Sequence, residues 1–322
     1  MSAGPATGTL AANRSISVVV PVYRCKECLE ELTERLAATL AKLTDRFEVL
    51  LVEDRSPDGA WDAITALAAR KPFVSAVRLS RNFGQHIAIT AGLAVCRGDL
   101  AVVMDCDLQD TPELVAELHD RLSQGFDLVL ARRTSRTHSL PRVLAARAYF
   151  GLLNRMTGEK LDGNYGAFSI LTRKVVDAYL LFQERDRHYI FVLRRLGFNA
   201  GTIDYEHAAR AHGKSAYTLR RLVRHGIDGI FFQTTVLLEW IVGLGFLFAA
   251  GGLLWAGVLL YRYFVGTPPP GFTSLAVLLL VSTGVIVASL GVVGLYVGKI
   301  FESTKGRPLY IVDTAINRLA PW

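Results

Sequence analysis

The sequence predicts an α/β domain with a mostly parallel sheet, followed by a membrane-surface amphipathic helix and a two-helix transmembrane hairpin. Three observations predict it. Short β-branched runs alternate with helix-like stretches in the N-terminal part of the chain. A polar or conformationally special residue stands at the end of each such run. Two long uncharged stretches lie near the C-terminus.

The strands come first. Ile16–Pro21, Phe47–Glu53, Val74–Ser80 and Leu100–Met104 are short and nearly continuous apolar runs. Between them, Lys26–Leu43, Trp61–Arg70 and Gln85–Cys96 read as helices. Continuous apolar strands separated by helices imply a parallel sheet buried on both faces. Ligands in such sheets gather beyond the carboxyl ends of the strands. Those ends carry Pro21, Val22 and Tyr23 after the first strand, Asp54 after the second, Arg81 and Asn82 after the third, and Asp105, Cys106 and Asp107 after the fourth. There is no G-x-G-x-x-G and no Walker loop, which excludes the usual dinucleotide and P-loop readings.

Asp105 and Asp107 alternate at a strand end, with Gln109 and Asp110 next. Two carboxylates and an amide oxygen form a hard-oxygen set suited to Mg2+ or Mn2+, with water and substrate phosphates as remaining ligands. Asp110, before Thr111 and Pro112, reads as a helix N-cap. Asp54 can accept from the ring N–H of a uracil or guanine base, beside a Ser-Pro-Asp-Gly turn that forms on its own chemistry.

Composition separates two halves. The 322 residues are 51% hydrophobic and 20% charged, with mean hydropathy +0.30. Residues 236–322 hold only five Lys/Arg and three Asp/Glu of the 36 and 29 in the chain. A net charge of +7, spread over both halves, argues against a nucleic-acid binder. Four cysteines exclude a disulfide scaffold; Cys25 and Cys28 form a C-x-x-C with no second pair, so reduced thiols are expected rather than a zinc site.

Basic clusters follow the fourth strand. Leu128–Gly158 contains Arg132, Arg133 and four further arginines without an acid. His207–His225 contains Arg210, Lys214, Arg220, Arg221 and Arg224, again without an acid. Apolar residues at helical spacing among these arginines predict an interfacial helix over 216–235. Ile241–Tyr261 and Phe272–Gly298 then give 21 and 27 uncharged residues, each enough to cross a bilayer. The expected organisation is a disordered 1–15, an α/β domain over 16–215, membrane helices at 236–265 and 272–298, and a tail from 299 to 322. Lys299, Lys305 and Arg307 after the hairpin, and the arginines before it, place both flanks in the cytoplasm. The N-terminal segment has no apolar core of a signal peptide, so residues 1–235 are expected to stay inside an inner or cell membrane.

The series PVYR, VEDRSPDG, LSRNFGQHIAITAGL and MDCDLQDTPE resembles the catalytic core of glycosyltransferase family 2. RNFGQ, HGKSAYTLRRL, the two spans and GLYVGKIFESTKGRPLY resemble the polyprenyl-phosphate glycosyltransferases within it. The resemblance runs from about Ile16 to Tyr310. It implies a GT-A fold, a nucleotide-sugar donor carrying uridine or guanosine diphosphate, a polyprenyl-phosphate acceptor, inversion at the anomeric carbon, and Mg2+ or Mn2+. It implies that Asp105, Asp107 and Gln109 hold the metal. Pro21, Tyr23, Asp54, Arg81 and Asp105 contact the nucleotide; Arg132, Arg133, Arg210, Lys214 and Ser215 hold phosphate. A homo-oligomer is expected. Relatives carry acids or hydroxyls where this chain has Asn164 and Ala167, which leaves Asp162 as the nearest catalytic acid. A lipid monophosphate has a second pKa of about 6 and is mostly dianionic at neutral pH, so it needs no general base. A processive polysaccharide synthase fits less well, because no Q-x-x-R-W follows Gln183 and two spans do not enclose a polymer. An inactive membrane-bound scaffold would not need the Asp105/Asp107 pair, and a transporter would need polar groups within its spans.

Overall fold

The computed structural model describes residues 14–134, 164–184, 187–206, 236–266 and 271–317. Within them the elements run β1 (Ile16–Val22), α1 (Leu29–Leu40), β2 (Phe47–Glu53), α2 (Ala60–Arg70), β3 (Val74–Leu79), α3 (Gln85–Val95), β4 (Leu100–Val103), α4 (Leu114–Leu122), β5 (Leu128–Arg133), β6 (Tyr165–Thr172), α5 (Arg173–Leu180), α6 (Tyr189–Arg195), β7 (Ala200–Tyr205), α7 (Val236–Phe264), α8 (Phe272–Thr304) and β8 (Val312–Ile316).

The eight strands form one sheet in the order β7-β5-β6-β4-β1-β2-β3-β8. Only β6 and β8 run against the rest. All seven residues of β1 and all four of β4 are buried, as expected of strands covered on both faces. Alternation along β1 sends Val18 and Val20 into one core layer, with Leu32, Leu36 and Ile64, and Val19 into the other, with Ile89 and Leu93. Helix α1 earns its place by spacing: Leu29, Leu32, Leu36 and Leu40 lie on its buried face, and Glu30 and Glu31 suit the positive end of its dipole. Burying each such leucine contributes roughly 1.5–3 kcal/mol.

Two expectations about the termini need correction. Ser15, assigned to a disordered end, is buried and donates both its amide and its hydroxyl to Asp99, at 2.9 and 2.8 Å. The segment beyond the hairpin is more than a tail: α8 continues to Thr304, and β8 pairs antiparallel with β3. The amide of Ser80 donates to Ile311 O at 2.9 Å, and Asn317 Nδ2 donates to Ala68 O and Val74 O at 3.0 and 3.1 Å. Five residues with an Asp and a Thr among them carry no apolar run, so β8 is defined by the open edge it covers rather than by its own pattern.

The two long helices form a separate unit. Trp240–Arg262 and Val281–Gly298 have mean hydropathies of 2.0 and 1.9 and are long enough to cross a membrane. Their large apolar side chains, Phe246, Leu253 and Phe264 among them, are exposed, an arrangement that water disfavours and a lipid surface does not. The expected interfacial helix over 216–235 lies outside the described residues.

Candidate active site

The sheet reverses its strand order between β1 and β4, where a doubly wound sheet opens a ligand crevice. Pro21 marks the opening. Odd-numbered residues of β1 face β4, as the amide of Met104 donating to Val19 O shows. The β1–β4 pairing ends at Val19 and Val103, so the amide that Pro21 lacks faces a neighbour that has already diverged. Around this crevice, three non-glycine residues adopt left-handed backbone: Arg24, Arg55 and Leu108, with φ of 58°, 54° and 59°. Such conformations are costly and gather where loops are shaped for ligands.

Asp54 follows β2 and is only 2% exposed. Its two oxygens accept the backbone amides of Phe83 and Gly84 at 2.7 and 2.8 Å, and Asn82 Nδ2 donates to its carbonyl at 3.1 Å. Gly84 has φ of 93°, a conformation that favours glycine and that turns its amide toward Asp54. Burial raises the carboxyl pKa against the lowering effect of those two amides. Asp54 therefore ties the loop after β3 to the end of β2. Tyr23 is exposed at the rim with Arg24 over its ring, and Arg81 folds over Phe83, 4.0 Å from the ring centre. The neighbouring turn is closed by Ser56 Oγ and Asp58 Oδ1 at 2.6 Å and reaches the segment after β1 by accepting the amides of Arg24 and Lys26.

Asp105 and Asp107 follow β4 and are partly accessible, as is Gln109. Gln85 Nε2 donates to Asp105 Oδ1 at 2.5 Å, and the amide of Gln109 donates to Asp107 Oδ1 at 3.2 Å. The left-handed Leu108 folds the chain back for this second contact. Among the described residues, no three His, Cys, Asp or Glu side chains gather as a metal cluster. Two accessible carboxylates with an amide oxygen beside them fit a hard cation that draws its other ligands from water and a diphosphate. Gln85 was missed in the sequence, where it is only one residue of an RNFGQ run.

The expectation of four reduced thiols does not hold. Cys25 and Cys106 form a disulfide with Cα atoms 6.2 Å apart, while Cys28 and Cys96 are free and buried. The partners are 81 residues apart in sequence, and only the adjacency of the loops after β1 and β4 brings them within bonding reach. In the sequence, Cys106 of the bridge stands between Asp105 and Asp107.

Arg132 and Arg133 part company. On a strand, successive side chains take opposite faces. Arg132 makes a two-point pair with Asp204, at 2.6 and 2.7 Å, on the surface. Arg133 faces the crevice, with Nη2 4.0 Å from Asp105 Oδ2 and 3.5 Å from Asp110 Oδ1. Asp110 is not an N-cap: α4 begins four residues later, at Leu114, and Asp110 Oδ1 accepts the Tyr205 hydroxyl at 2.5 Å. Expected residues Asp162, Arg210, Lys214 and Ser215 lie outside the described residues.

Beneath α3 sits a second polar cluster that the sequence did not single out. Arg187 Nη1 donates to Thr90 Oγ1 at 3.0 Å, and the Thr90 and Tyr179 hydroxyls are 3.0 Å apart. His188 stacks between His86 and Phe191, and burial pushes its pKa down to about 4.

Residues 17–180 match the family model described as Glycosyl transferase family 2. An uncharacterized glycosyltransferase of Synechocystis sp. is 33% identical over 92% of this chain and 94% of its own length. The undecaprenyl-phosphate 4-deoxy-4-formamido-L-arabinose transferase of Pseudomonas syringae pv. syringae is 33% identical over 95% of this chain and 92% of its own. Among solved structures, glucosyl-3-phosphoglycerate synthase from Mycobacterium tuberculosis, in complex with Mn2+, uridine diphosphate and phosphoglyceric acid, covers 72% of this chain and 82% of its own. It superposes with a TM-score of 0.50 at 21% identity, which is a likeness of fold.

Proposed function

The chain belongs to glycosyltransferase family 2, and from that premise we propose that it transfers a sugar, with inversion, from a nucleotide diphosphate to polyprenyl phosphate at the cytoplasmic face of a membrane. The observation that carries this reading is the pairing of two features in one chain. One is the accessible Asp105/Asp107 motif, bordered by Gln85 and Arg133, at the strand-order reversal. The other is a pair of helices apolar enough to reach a lipid substrate. The named transferase relative takes undecaprenyl phosphate as its acceptor, and its resemblance extends over nearly the whole chain.

Asp105, Asp107 and Gln109 would hold Mg2+ or Mn2+, which supplies charge neutralisation to a departing nucleoside diphosphate. Gln85 orients the Asp105 carboxylate by its 2.5 Å bond. Pro21 splays β1 from β4 so that a nucleotide can enter, and Tyr23 and Arg81 stand at the rim where a base would lie. Asp54 contributes by fixing the loop that carries Arg81 and Gln85. Its remaining lone pairs are those that would accept a base N–H. Arg133 places positive charge beside Asp105, where phosphate oxygens would approach. Arg132 is committed to Asp204, so Arg133 is the better phosphate ligand of the two. Arg210, Lys214 and Ser215 are proposed to close on the lipid phosphate from their basic segment.

The acceptor is already a nucleophile when dianionic, so the protein's task is alignment behind C1 rather than proton removal. The membrane placement rests on connectivity and charge. The chain leaves one sheet after β7, passes through α7 and α8, and returns to the same sheet as β8. Basic residues flank both ends of the hairpin. Detergent-extracted enzyme should be offered uridine- and guanosine-diphosphate sugars with polyprenyl phosphate, with Mg2+, Mn2+ or chelator. One donor should give a glycosylated lipid phosphate that chelator abolishes. Transfer undiminished in chelator would refute the metal, and transfer only to a hydroxyl acceptor would refute the lipid phosphate.

A further inference from the structure

Arg133 is gripped by residues to which the reaction as described gives no task. Tyr205 closes β7, pairs in register with Arg133 of β5, and donates its hydroxyl to Asp110 Oδ1 at 2.5 Å. Arg133 donates Nε–H to that same hydroxyl oxygen at 3.0 Å. Its Nη2 stands between two carboxylates, 3.5 Å from Asp110 and 4.0 Å from Asp105. Asp110 is 0% exposed and Tyr205 4% exposed. The Tyr205 ring is fixed edge-on against Phe168, 5.9 Å away. The fourth side is empty by necessity. A Cβ at Gly166 of β6 would lie 2.6 Å from Arg133 Nη2 and 3.0 Å from Cζ, too close for both to stay.

A buried carboxylate is costly unless paired. Asp110 meets Tyr205 and Arg133 here. Burial first, and then the Asp110 charge, raise the phenol pKa, so the hydroxyl remains a donor at any physiological pH. An arginine carries many rotamers, and its planar fork binds oxyanions well when its orientation is set beforehand. Residues from the loop after β4, from β6 and from β7 set that orientation.

We propose that Asp110, Tyr205 and Gly166 are positioning residues that act through Arg133, holding its guanidinium beside Asp105 so that it meets a substrate phosphate oxygen. The proposal rests on the glycosyltransferase reading of this site. The phosphate belongs either to the donor diphosphate or to the lipid acceptor, and the two are separated by which substrate loses affinity.

The test is a double-mutant cycle in the full-length, detergent-solubilised enzyme. Tyr205→Phe, which keeps the ring against Phe168, should lower kcat/KM roughly ten- to a hundredfold in the Arg133 background. In an Arg133→Met background the same substitution should change it less than about twofold, because the group it acts through is gone. Asp110→Asn and Gly166→Ala should follow the same pattern and serve if Tyr205→Phe folds poorly. A loss confined to the KM of the nucleotide sugar assigns the donor diphosphate; one confined to the lipid phosphate assigns the acceptor. Calorimetric binding of a nucleoside diphosphate and of a short-chain prenyl phosphate to the same four proteins gives a readout independent of turnover. A binding loss cancelled by Arg133→Met supports the proposal even if no sugar is transferred, in which case the functional reading fails alone. Equal losses in both backgrounds, or no loss of either turnover or binding, would overturn it.

Discussion

The loops after β2 and β4 both end a buried strand in an aspartate, yet they use it in opposite ways. Asp54 is 2% exposed and gives both oxygens to the amides of Phe83 and Gly84. Asp105 and Asp107 stay partly accessible, at the place where β1 and β4 separate. The difference teaches how to sort acids at the mouth of an α/β sheet. A carboxylate absorbed by backbone amides organises a loop first, and one partly exposed at the crevice can also meet a ligand. Asp110 extends the rule, since it is the most deeply buried of the four and answers to Tyr205 and Arg133.

The largest expected effect breaks the comparison if it fails. Asp107→Asn should lower turnover by a hundredfold or more, since the charge neutralisation it would help supply is worth several kcal/mol. Its melting temperature should change little, because a partly accessible acid carries little of the fold. Asp54→Ala should act on the fold first, and on turnover through the loop it holds. It strands two amides and should cost about 2–4 kcal/mol of stability, read from denaturant unfolding. If Asp107→Asn destabilised the domain as much as Asp54→Ala, the two loops would not differ in kind.

The bridge beside the accessible acids sharpens the picture. Cys25 and Cys106 close a loop of 81 residues, so Cys106→Ala should cost oxidised protein about 2–4 kcal/mol and reduced protein far less. Thiol titration of the denatured, unreduced chain should find two reactive groups, rising to four after reduction. Four before reduction would exclude the bridge.

A pH effect of similar size should come from the cluster beneath α3. Burial lowers the His188 pKa from 6.5 to about 4 in the folded chain. Between those values the unfolded chain binds more protons, so stability rises with pH from about 4 to 6.5 and is lost on acidification through that window. The contribution should be about 3 kcal/mol, and His188→Gln should flatten the thermal midpoint over that range. An unchanged slope in the variant would assign it to other groups.

The smallest effect concerns Asp162, the acid nearest the positions where Asn164 and Ala167 stand. Asp162→Asn should slow transfer by less than the roughly 10²–10⁴-fold typical of a lost general base. The rate should rise with pH through about 6 as the acceptor phosphate ionises. A loss beyond a thousandfold, with fold and metal binding intact, would give the crevice a third chemical acid and end the simple division drawn here.

Much of the sheet was legible because its signals are local. The apolar runs of β1 to β4 and the leucine spacing of α1 fall in the sequence where the elements fall in space. The aspartates at the strand ends could be read for the same reason. What stayed hidden depends on pairing across the fold. Asp110 looked like a cap because Thr111 and Pro112 follow it, whereas its partner Tyr205 is 95 residues away. The Cys25–Cys106 bridge and β8 are of the same kind: each is defined by a neighbour that the chain reaches only after long excursions. Arg132 and Arg133 could have been told apart by strand alternation once Asp204 and Tyr205 were placed opposite them.

The most direct test of the proposed chemistry is to identify both products. Purified enzyme given a nucleotide sugar labelled at the anomeric carbon, polyprenyl phosphate and Mg2+ or Mn2+ should release nucleoside diphosphate in equal amount to a lipid phosphate carrying one sugar. The anomeric carbon should be inverted, as read by NMR of the labelled position. Release of nucleoside monophosphate with a lipid diphosphate sugar, retention at the labelled carbon, or free sugar without any lipid product would contradict the account.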